Sequence, residues 1–102
     1  MNGSILIPEK FKLKGELIHV VIDNEYCNED EIYGEADFTL ALITLCNRYK
    51  GKALKKSLKE KTFFHELVHM ILDKMGQDEL NKDEVFVDAF ADYWYEFEKT
   101  KV

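Results

Sequence analysis

Between Gly51 and Gly76 neither glycine nor proline interrupts the chain, and the stretch is rich in Leu, Lys, Glu and Met. A run of that length, built from strong helix formers, predicts one long helix over residues 52–75. Gly76 stands where a left-handed C-terminal cap falls. Upstream the pattern changes. Apolar residues come in short runs rich in β-branched types: Phe11 and Leu13, then residues 17–22, then residues 40–45, separated by Lys14-Gly15, Asp23-Asn24 and Gly34. Such runs predict strands joined by hairpin-like turns. Residues 27–37 are rich in acidic groups and read as an exposed loop, with a short strand near Tyr33.

A second helix is expected over residues 81–98. Asn81 has Glu84 three positions later, which is capping-box spacing, and Leu80 with Val85 fits a hydrophobic staple. Strands first and helices second point to an α+β domain rather than a wound parallel sheet. The expected architecture is a small, mostly antiparallel sheet of three to four strands followed by two helices. With 102 residues, 46% of them hydrophobic, the chain suits a single domain over 1–102, strand-rich in 1–50 and helical in 51–102.

Composition bounds the partners. A net charge of −6 offers no attraction to the phosphates of nucleic acid or to anionic lipid. No segment approaches the ~20 apolar residues of a membrane span, and the first residues lack the basic start and apolar stretch of a signal peptide. Cys27 and Cys46 form no C-x-x-C pair and read as two free, partly buried thiols of a reducing compartment. A cytoplasmic location is the expectation.

The predicted long helix carries His65-Glu66-Leu67-Val68-His69, an H-E-x-x-H motif. Histidines at i and i+4 share a helix face, so both imidazoles reach one ion at Zn–N distances of ~2.0–2.1 Å. Glu66 is rotated about 100° from the first ligand, where its carboxylate takes a proton from a water whose pKa the metal lowers. The competing reading makes His65 and His69 ordinary helix residues satisfied by neighbours. With only three histidines and twelve glutamates in the chain, chance produces the pattern at a rate of roughly 0.7%, and buried imidazoles would still need partners.

A catalytic zinc takes three protein ligands and keeps a fourth position for water. Asp73 lies about 12 Å along the helix from His65, too far to share its ion. Leu72 and Met75 occupy the glycine and third-histidine positions of the longer H-E-x-x-H-x-x-G-x-x-H pattern. The favoured third ligand is Glu84, with Asp88 one turn on accepting a hydrogen bond from the free ring nitrogen of a ligand histidine. Glu79 and His19 are reserves. Against this, Glu84 serves equally as the capping partner of Asn81, and Asp88 as a solvated charge. The apolar run around them, Val85 to Ala91, reads as a helix buried on most sides.

On these residues the chain resembles the glutamate-type zinc metallopeptidases, and more closely the small ImmA/IrrE-like and phage-encoded members. The resemblance is carried by Thr62-Phe63-Phe64-His65-Glu66-Leu67-Val68-His69-Met70-Ile71-Leu72, by Glu84-Val85-Phe86-Val87-Asp88-Ala89-Phe90-Ala91, and by Tyr33-Gly34-Glu35-Ala36-Asp37. It implies a minimal zincin-like fold with His65, His69 and Glu84 holding Zn²⁺ and Glu66 as general base. It also implies a hydrolase acting on a protein or peptide substrate. The chain departs from the pattern in lacking an evident cation or histidine to stabilise an oxyanion. Tyr95 is a candidate transition-state donor, with core packing as its competing role. The substrate is expected to extend along a strand over 39–46. The alternative function is non-catalytic, a metal-stabilised protein-interaction domain using the aromatic second helix and the acidic segment 27–37.

Overall fold

The computed structural model describes residues 5–102. Its elements run β1 (Lys10–Leu13), β2 (Glu16–Ile22), α1 (Asn24–Asp30), β3 (Gly34–Asp37), β4 (Leu42–Leu45), β5 (Arg48–Tyr49), β6 (Lys52–Ala53), α2 (Lys56–Lys74), α3 (Asp78–Lys82) and α4 (Glu84–Thr100). The architecture is α+β. The reading of the N-terminal segment falls in part on residues 1–4, outside the described residues.

Four strands form one sheet in the order β1-β2-β4-β3. The outer pairs are antiparallel, and the central pair β2–β4 is parallel. The expectation of hairpin turns throughout therefore needs correcting. Lys14 and Gly15, at φ 49° and 80°, make the tight β1–β2 turn, since both central residues of a two-residue hairpin of this hand need positive φ. A parallel pair needs a longer crossover, and here it is made of α1 and β3.

The acidic segment expected as a loop is largely this crossover. The Asp23 side chain accepts from the Tyr26 N–H at 3.0 Å and starts α1. Its end is closed by Glu31 in the left-handed region at φ 56°, a place glycine usually takes. Asn24 and Asn28 then stitch α1 to the hairpin β5–β6: the Asn47 and Arg48 N–H groups donate to Asn24 Oδ1, and the Lys50 N–H donates to Asn28 Oδ1 at 2.7 Å. That hairpin, turned by Lys50-Gly51, occupies the beginning of the predicted long helix, so α2 starts at Lys56 instead of residue 52. Its C-terminal end is as expected: Gly76 adopts φ 70°, and the Gly76 and Gln77 N–H groups donate to Asp73 O and Leu72 O.

The core lies between the sheet and α2. Ile18, Ile43 and Leu45 meet Phe63, Leu67 and Met70. The fully buried sheet positions are fixed by alternation along β2 and β4. Helix α4 packs chiefly along α2 and buries one stripe, Val87, Ala91 and Tyr95, spaced by four residues. The rest of its apolar sequence faces outward: Val85 is 81% and Tyr93 75% exposed. The expectation of a helix buried on most sides is overturned, and with it the staple, because exposed Val85 has nothing to pack on. A groove of about 990 Å³ along Leu72, Phe86, Phe90 and Phe97 marks this uncovered side. No helix among the described residues is long and apolar enough to cross a membrane.

Candidate metal centre

Antiparallel packing of α2 and α4 creates a polar seam at its solvent edge. Asp83 caps α4 by accepting from the Phe86 N–H at 3.1 Å, which places Glu84 in the first turn, where a carboxylate suits the positive end of the helix dipole. Asp88 follows one turn later. On the facing helix, His65 and His69 stand one turn apart. His65 Nε2 lies 3.2 Å from His69 Nε2, and the Glu84 carboxylate lies 3.7 Å from the first and 3.3 Å from the second. Four ligands held tetrahedrally at 2.0–2.1 Å stand about 3.3 Å from one another. The observed spacings match that edge.

Hydrogen-bond chemistry shows what these atoms present to each other. His65 Nδ1 is 2.7 Å from an Asp88 oxygen; a carboxylate accepts only, so the imidazole carries its proton there. His69 Nδ1 is 2.6 Å from Asn81 Oδ1, while Asn81 Nδ2 donates to the His69 carbonyl at 3.2 Å. The amide orientation makes its oxygen the acceptor, so His69 is also protonated at Nδ1. With each ring neutral, its Nε2 turns a lone pair toward the Glu84 carboxylate, and a cation held between the three atoms satisfies them together. The residues present fit Zn²⁺: two neutral imidazoles, one carboxylate, and each ring held through its other nitrogen.

Glu66 lines a cleft between α2 and β3 together with His65, His69 and Glu84 and is only 8% exposed. Burial pushes its carboxyl above the ordinary 4.5; the two histidines oppose this shift, and Glu84 adds to it. The cleft, about 640 Å³, is lined by His65, Glu66, His69, Glu84 and the β3 residues Glu35 and Ala36. Gly34 lets β3 come this close. A Cβ there would meet Thr62 Cγ2 at 2.6 Å and Thr44 O at 3.1 Å.

The structure thus brings together His65, His69, Glu84, Asp88 and Glu66. Tyr95 is not with them. Its hydroxyl donates to Glu60 at 3.0 Å, inside the α2–α4 interface, which corrects the reading of Tyr95 as a transition-state donor. His19, exposed on β2, and Glu79, exposed on α3, stay outside the cluster. Among the described residues, no other three His, Cys, Asp or Glu side chains converge this way. Asn81 is the residue that sequence reasoning misassigned. It sits inside α3 and caps nothing; its only sequence signal, a polar side chain twelve positions after His69, is shared with a helix cap. The substrate edge also moves. Strand β4, which lies within 39–46, is paired on both sides, whereas β3 is the free edge and faces the cleft. No protein-family model, curated protein or solved structure matches this chain.

Proposed function

We propose that this chain is a zinc-dependent peptidase of the minimal zincin-like kind, acting on a protein or peptide substrate in the cytoplasm. The observation that carries the reading is the convergence of two imidazole nitrogens and one carboxylate at tetrahedral spacing beside a buried glutamate. Bound Zn²⁺ would acidify a water and polarise the scissile carbonyl. His65, His69 and Glu84 would hold the ion, with Asp88 fixing the His65 ring. An extended peptide adds to the free edge of β3, its backbone pairing with the strand as a further member of the sheet. Glu66, raised in pKa by burial, takes a proton from the attacking water and gives it to the departing amine.

The alternative, an ion that only ties helices together in an interaction domain, draws on the exposed aromatic side of α4. Yet α2 already rests on a core of its own, and Glu60 with Tyr95 joins α2 to α4 away from the site. Chelation should therefore leave most of the helical circular-dichroism signal intact; collapse would favour the interaction domain. The decisive variant is Glu66→Gln. It should keep one zinc per chain and lower cleavage of an unfolded protein substrate by about 10²- to 10⁴-fold. Undiminished cleavage overturns the assignment.

A further inference from the structure

We propose that Asn81 is a positioning residue for His69, a role that rests on the metal reading above. Both ends of its amide engage one residue. Oδ1 takes the ring Nδ1–H at 2.6 Å, and Nδ2 donates to the His69 carbonyl at 3.2 Å. Ring and backbone of His69 are thus held by a single rigid group, and the ring's rotation and tautomer are set together.

The element that delivers Asn81 is lightly anchored. α3 contains no fully buried residue, and its start has no side-chain cap. Leu80, 38% exposed, rests at the groove beside Ile71 and Phe86. Among the described residues, Asn81 is the only α3 residue whose side chain makes a hydrogen bond or an ion pair, so the paired bonds to His69 are what fix this turn's polar face.

An amide also suits the charge of the site. Glu84, Asp88 and Glu66 already supply three carboxylates around the rings. His65 is oriented by a charged acceptor and His69 by a neutral one, so Asn81 adds no further negative charge. An aspartate at position 81 would keep the ring contact and lose the donation to the carbonyl. A leucine would lose both.

The test measures zinc affinity by chelator competition in wild type, Asn81→Leu and Asn81→Asp. Imidazole ¹⁵N shifts of the metal-free proteins, read at a pH where the rings are neutral, give the tautomers. Asn81→Leu should bind zinc ten- to a hundredfold more weakly, and His69 should lose its single Nδ1–H tautomer. Asn81→Asp keeps the acceptor and should keep the Nδ1–H tautomer, with a zinc affinity above that of Asn81→Leu. Unchanged affinity and tautomer in Asn81→Leu overturn the proposal, as does loss of the tautomer in Asn81→Asp. Should wild type bind zinc no better than His65→Ala, the metal reading falls and takes the affinity prediction with it. The tautomer comparison still decides whether Asn81 orients the ring.

Discussion

Two carboxylates meet the α2–α4 seam, one at each end, and their surroundings are opposite. Glu60 is fully buried; Tyr95 Oη donates to it at 3.0 Å, and Lys99 Nζ lies at 3.2 Å. Both donors meet the same Glu60 oxygen and tie the helices together through it, while Oε2 is buried with no hydrogen-bond partner and only Lys56 Nζ at 4.0 Å. Glu84 sits at the open end, exposed, and faces the Nε2 atoms of two histidines at 3.7 and 3.3 Å. The same residue type on the same seam is a buried fastener at one end and, on the proposed function, an exposed ligand at the other.

Glu60→Ala tests the fastener and has the largest expected effect. Stripping a buried charge from its partners costs about 3–5 kcal/mol, so unfolding by denaturant should shift by that amount while zinc content stays at one per chain. A shift under about 1 kcal/mol would erase the contrast. Glu84→Ala should do the reverse. Zinc affinity should fall more than a hundredfold, beyond the effect of losing an orienting partner. The metal-free protein should change by less than about 1 kcal/mol, because the side chain is exposed and its place at the start of α4 is a weak interaction.

Tyr95→Phe has the smallest effect, about 1 kcal/mol at neutral pH, with zinc and cleavage untouched. It also carries a pH signature. Burial first, and then the bond to Glu60, raise the Tyr95 phenol above its ordinary 10.0. A raised acid contributes stability that is complete below pH 10 and is lost as pH climbs through the raised value. The gap between wild type and Tyr95→Phe should therefore narrow in alkaline solution; a constant gap would remove the phenol from the account.

What the sequence made legible was local. The His65–Glu66–His69 spacing is a helical fact that needs no knowledge of the rest of the chain, and Gly76 marks its helix end for the same reason. Glu84 and Asp88 were reachable because four-residue spacing again puts them on one face. Asn81 was misread because the same spacing signals a helix cap, and only the folded chain shows that its amide is spent on His69. Two identical dipeptides fared differently: Lys14-Gly15 sits between apolar runs and announces its turn, while Lys50-Gly51 sits among lysines and does not. The exposed aromatics of α4 mislead for a third reason. Hydrophobicity records what a residue prefers, and Val85 or Tyr93 carries no mark of whether another element arrives to cover it.

The parallel pairing of β2 with β4 has a consequence in time. A hairpin assembles from neighbours, but β4 reaches β2 only after residues 23–41 have looped back, and that loop is α1 and β3. Closing a loop before its contacts reward it is the slow part of building such a sheet. The β3 edge that lines the cleft is thus laid down in the step that completes the sheet. A molecule of this chain that has finished its sheet already has the wall of its cleft.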